Sequence, residues 1–263
     1  MIFITIMKLQ NNCAISFQSG LTPALEQSFK TIDTRKLEKR MAKEYGIDAK
    51  FSGNKAIAGC FNYVLNLCCE ASEKYKLPFN YVPPSIRLYT PQNLCEEDEN
   101  THGLCISERQ KVLKDEGIFD TGSVFIENFP DDIRVIDMFQ ELRRDTNHSS
   151  TSHFLGLFLH EWFHNVHLNL LFDRFNRNRT SQIDQIRRLD KQMQPYNIIH
   201  RWAIKHSVST YGSENKFELF SEVMSKIMAD SIDENTMTLK GNPMEVLKTL
   251  PRFIQNYIND ELK

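Results

Sequence analysis

The sequence predicts an α+β, mostly helical domain with a small mixed sheet and one central helix that carries its chemistry. Three observations predict it. The run 152–172 has no proline and one glycine, and its apolar residues are too dense for a surface strand, so it reads as a mostly buried helix. Helix-period apolar stripes recur along most of the chain, whereas strand character is confined to 49–52, 85–89 and 122–127. The composition is ordinary globular, 41% hydrophobic and 25% charged, and 18 phenylalanines in 263 residues supply a sizeable core.

In order, 1–22 reads as a loose arm. Its apolar start, Met1 to Met7, is too short for a signal peptide and lacks a basic leader and a cleavage site, so it is expected to be an extension ahead of a second start at Met7. Location in the cytoplasm, or export by a non-standard route, is the corresponding expectation. Pro23 opens a helical stretch reaching Tyr45, with Asp33 or Thr34 as an internal cap and Gly46 as the stop. Asn54 caps a second helix to about Tyr75, with Ile57, Phe61, Val64, Leu65 and Cys68 on one stripe. Pro78, Pro83 and Pro84 end it before the strand 85–89.

An acidic loop fills 90–106, and 108–114 reads as a short helix. Cys95 and Cys105 flank the loop. They would pair in an exported protein or, with His102, form part of a second metal site, and they leave the redox compartment open. Cys60, Cys68 and Cys69 fall in the apolar helical pattern and read as buried thiols. The strand 122–127 precedes an amphipathic helix over 131–144. Later helices are expected over 181–193, 198–205 and the stretch bearing Glu218 and Glu222. The formal charge of −2 leaves no footprint for nucleic acid, and no stretch reaches the length of a membrane span. The oligomeric state is not legible.

The central helix, with Ser150, Thr151 or Ser152 as its N-cap, contains His160-Glu161-Trp162-Phe163-His164. Positions i and i+4 share a helix face, so His160 and His164 can turn two ring nitrogens on one ion. Glu161, rotated by roughly 100°, cannot easily join them but can reach a water held there. This is the spacing of the zinc-peptidase motif H-E-x-x-H. Such a site needs a third protein ligand. His167 is excluded by reach, because it stands seven residues, about 10.5 Å, from His160 along a straight helix. Glu218 and Glu222 remain, on one face of a helix interleaved with apolar residues. In peptidases of this motif an edge strand above the metal helix pairs with the substrate backbone, and 122–127 is the candidate.

Beyond the short motif, the chain resembles the zinc peptidases related to the catalytic domain of anthrax lethal factor, which include the clostridial Pro-Pro endopeptidases. The resemblance spans 117–263. It rests on His160-Glu161-x-x-His164 together with Tyr211-Gly-x-x-Asn215-x-x-Glu218-x-Phe220-x-Glu222, and on the ending Phe253 to Asp260. It implies a zincin-like fold, Zn2+ on His160, His164 and Glu218, Glu161 as general base, Tyr211 as a donor to the oxyanion, and Glu222 behind a histidine. A peptide or protein substrate follows. Residues 23–116 carry no such resemblance and read as the N-terminal part of the same unit. Phe163 stands where the family often has glycine, and Ser221 where it usually has alanine, so substrate preference does not carry over. Two other functions compatible with the ligands are a non-catalytic zinc-stabilised binding protein and a zinc hydrolase of non-peptide substrates.

Overall fold

The computed structural model of the chain describes residues 21–89, the backbone of 103–106, 123–145 and 147–263. The N-terminal arm, the acidic loop with Cys95 and His102, and the helix expected at 108–114 lie outside the described residues, as does the side chain of Cys105.

Helices dominate, and their starts follow side-chain caps. Thr22 and Asp33 accept the backbone N–H groups of Leu25 and Lys36, which opens α1 (Pro23–Lys30) and α2 (Thr34–Arg40). A single π-type turn, Met41–Tyr45, follows, and Gly46 ends it at φ 73°, where a glycine has no Cβ to clash. Asn54 caps α3 (Lys55–Tyr75) over the expected span. Its stripe is buried, and Cys60 and Cys68 are fully covered thiols raised in pKa by desolvation.

The sheet has four strands: β1 (Asp48–Lys50), β2 (Ser85–Tyr89), β3 (Gly103–Ile106) and β4 (Ser123–Glu127). Their order is β1-β2-β4-β3, with the β1–β2 and β2–β4 pairs parallel and β3 antiparallel to β4. The helix α3 is the crossover that makes the β1–β2 pair parallel. One sequence expectation fails here. The strand 122–127 is not an edge: Val124 pairs with Ile86 on one side and Cys105 on the other. A proline at Val124 or Phe125 would therefore break the sheet's interior rather than probe substrate pairing. Among the described residues the outer strand beside β4 is β3.

After α4 (Ile133–Asp145) comes the central helix α5 (Gly156–Arg177). It begins later than expected. Thr151 Oγ1 accepts from the N–H of His153, and His153 Nδ1 accepts from the N–H of Leu155, so side chains hold this approach as a turn. The helix is buried on almost every side. Phe158 meets Phe61 of α3 edge to face at 5.2 Å, and Phe163 meets Phe79 in the same geometry and distance. Phe163 thus fills core where the resembling family often places glycine.

The rest of the chain wraps α5. It forms α6 (Gln182–Met193), α7 (Ile198–Ser207), a 3-10 turn at Tyr211–Ser213 and α8 (Lys216–Asp230). A two-residue hairpin, β5 (Ile232–Asp233) with β6 (Thr238–Leu239), precedes α9 (Pro243–Leu247) and α10 (Arg252–Glu261). The last helix ties the site's two helices together: Tyr257 donates to the Lys216 carbonyl of α8 at 2.8 Å, and Arg174 of α5 reaches Glu261 at 3.1 Å.

Candidate metal centre

The site forms where α5 and α8 pack antiparallel, which sets His164 beside Glu218 and His160 beside Glu222. Asn215 starts α8 by accepting the N–H of Glu218 at 3.0 Å, so this N-cap fixes the turn that carries the carboxylate. Gly212 lets the preceding turn lie close on α8, since a Cβ there would stand 3.3 Å from the Cβ of Glu222.

Three atoms converge. The Nε2 atoms of His160 and His164 are 2.9 Å apart, and each is 3.2 Å from Glu218 Oε2. A tetrahedral ion with bonds of about 2.0–2.2 Å sets its ligand atoms roughly 3.3–3.6 Å apart, so the triangle, a few tenths of an ångström tighter, is close to metal spacing. The chemistry of the donors agrees. Glu218 Oε2 is buried against the two imidazole Nε2 atoms, and those nitrogens face each other where an ion would satisfy all three. Among the described residues this is the only His, Cys, Asp or Glu group that could hold a metal ion. His164 and Glu218 keep 13% and 14% of their side chains exposed, which leaves a way in.

Glu222 stands behind His160 rather than in the triangle. Its Oε1 lies 2.9 Å from His160 Nδ1, and its Oε2 accepts the N–H of Ser150 at 2.5 Å. A carboxylate at Nδ1 favours the tautomer whose Nε2 offers a lone pair to a metal. Ser150 also donates its hydroxyl to the Glu222 carbonyl at 2.7 Å. Losing such a partner typically costs about 10–100-fold in metal affinity. Glu222→Gln is expected to weaken metal binding by about that factor in chelator competition, with the fold retained.

Without metal, the cluster carries its own compensation. Burial would lower the pKa of His160, but the Glu218 and Glu222 carboxylates outweigh it and hold the imidazole up at about 10. Burial likewise opposes ionisation of Glu218, yet His164 and His160 keep it well below the usual carboxylate range. A raised histidine pKa means that proton and metal compete at neutral pH, so affinity should climb as pH rises toward about 10. In metal-free protein, His160 ring resonances should still report imidazolium at about pH 8, where a free imidazole of pKa about 6.5 is neutral. Glu218→Gln should bring that midpoint down.

Glu161 is 4% exposed, and its Oε2 has no hydrogen-bond partner. Burial raises its pKa, against the pull of His160 and His164. Tyr211 lies between two rings, 5.4 Å from His160 at 29° and 5.3 Å from His148 at 19°. Its N–H donates to the His148 carbonyl at 3.2 Å. Burial and the charges of Glu218, Glu161, Glu214 and Glu222 drive its hydroxyl pKa far up, so it stays a donor.

All six residues named from the sequence thus gather here. His167 does not join them; it is fully buried, stacked on Phe220 at 4.2 Å, with Glu261 3.5 Å from Nε2. Sequence reasoning missed His148 and Ser209, the latter accepting the N–H of Gly212 at 2.9 Å and bonding the Glu222 carboxylate. Ser150, one of the three N-cap candidates the sequence offers, instead donates its N–H to Glu222. Compared with protein-family models, curated proteins and solved structures, the chain matches none.

Proposed function

We propose that the chain is a zinc-dependent metalloendopeptidase whose catalytic region, 117–263, is zincin-like. The observation that carries this reading is a buried carboxylate with an unpartnered oxygen, Glu161 Oε2, on the same helical turn as the two histidines of a metal-spaced His160–His164–Glu218 triangle. A protein that used the ion only for stability would bury that carboxylate at a cost and gain nothing from it. Two imidazoles and one carboxylate are a donor set of catalytic zinc sites, which keep a further position open.

When bound, the ion would supply Lewis acidity, drawing the pKa of a water toward about 7 and polarising a carbonyl. Glu161 takes the proton of the attacking water and returns it to the leaving amine. Its raised pKa suits that traffic better than an ordinary surface carboxylate. Tyr211, held protonated, donates to the oxygen on which negative charge develops. Stacking on His160 ties its position to the metal helix. Tyr211→Phe should lower kcat roughly 10²–10³-fold with a smaller change in KM, because the bond is made mainly in the transition state. Steady-state kinetics on one cleaved peptide check this.

The strand open to a substrate backbone is then β3, the outer strand beside β4. N-methylation scanned along a cleaved peptide should lower cleavage at alternate residues; uniform tolerance would contradict the pairing. The reading as a whole is tested by hydrolysis of a fluorogenic peptide library that is lost on chelation and restored by Zn2+.

A further inference from the structure

The helix α7 presents an apolar face that nothing among the described residues covers. Ile198, Ile199 and Trp202 are 85%, 75% and 65% exposed. At 3.6 residues per turn they share one arc of roughly 100°. Ile204, the buried residue of this helix, points the opposite way and anchors it. His200 reinforces the anchor by stacking on Phe253 of α10 at 5.0 Å. The apolar arc is therefore directed outward by packing.

We propose that this face docks on an anionic lipid surface. Charge points to that occupant. Arg201 and Lys205 are exposed and border the apolar arc, and α7 contains no acid; Glu214, on the turn that follows, lies within electrostatic reach of Arg201. Shape points the same way. Residues 197–202, 205 and 206 are all exposed, so the helix projects as a ridge. A convex helix with an outward tryptophan, large aliphatics and flanking cations is suited to the headgroup–acyl boundary of a bilayer. Insertion across a bilayer is not implied, since no helix of the described residues is long and apolar enough to span one.

The chain has two tryptophans, and Trp162 is fully buried, so a change of emission on docking reports Trp202. Full-length protein is mixed with vesicles of phosphatidylcholine alone, or with about one-third phosphatidylglycerol, at low and at raised salt. Expected are co-sedimentation and a blue shift with the anionic vesicles only, both weakened by salt. The pair Ile198→Ser with Ile199→Ser should lower partitioning about tenfold or more, as should Arg201→Glu with Lys205→Glu, with circular dichroism unchanged. Equal binding to both vesicle types, indifference to either pair of substitutions, no binding at low salt, or self-association through this face without lipid binding would each overturn the proposal. The assay reads no catalysis, so its outcome is separate from that of the peptidase reading.

Discussion

Glu161→Gln is expected to abolish most peptide hydrolysis while leaving the metal centre in place. The substitution keeps size and hydrogen-bonding capacity but removes the carboxylate that accepts a proton, a loss worth about 10²–10⁴-fold in rate. Three features of the structure make the prediction sharp. Glu161 contributes no atom to the convergent triangle, so metal content should not change. Its Oε2 has no partner that the amide would leave stranded. Its pKa is raised by burial, so a neutral amide at this buried position should be tolerated and thermal stability held or slightly increased. Rate, metal content and melting temperature measured together distinguish loss of a base from loss of a fold.

Removal of a ligand should have the opposite profile. Glu218→Ala and His164→Ala each leave two donors of three. Since even the carboxylate behind a ligand is worth about 10–100-fold in affinity, loss of a ligand itself should exceed about a hundredfold. Stability follows. A metal at about 1,000 times its Kd adds about 4 kcal/mol to the folded state. At about 2–4 °C per kcal/mol for a chain of this size, wild type should lose roughly 8–16 °C on chelation. The two variants should show little further loss on chelation. His160→Ala is the poorer test, because Glu218 and Glu222 both lean on that ring and each would lose a partner in a buried position. Full metal retention in Glu218→Ala would remove Glu218 from the ligand set. Glu222 is not placed to substitute, with its oxygens turned to His160 Nδ1 and the Ser150 N–H.

The parts of this molecule legible in the sequence are those set by local rules. Asn54 is a side-chain cap, and the helix after it begins as expected. The i,i+4 spacings of His160 with His164 and of Glu218 with Glu222 fix faces before any fold is known. What escaped depends on distant chain. Strand β4 looked like an edge because its partner β3 comes from a loop-like stretch and forms only through long-range pairing. The start of α5 moved because Thr151 and His153 bond backbone groups that a helix would otherwise use. The hairpin at 232–239 has strands of two residues, too short for alternation to register. His148 carries no local signal, since its ring stacks on Tyr211, 63 positions along the chain.

The central claim is that Glu161 and the His160–His164–Glu218 triangle together form a peptide-cleaving site. The most direct measurement is mass-spectrometric profiling of a diverse peptide library incubated with zinc-loaded wild type and, in parallel, with zinc-loaded Glu161→Gln protein. Expected are internal cleavages in the wild-type digest that share a sequence preference and fade from the Glu161→Gln digest. A wild-type protein that binds zinc yet cleaves nothing, or cleavages that persist unchanged in the Glu161→Gln digest, would contradict the claim.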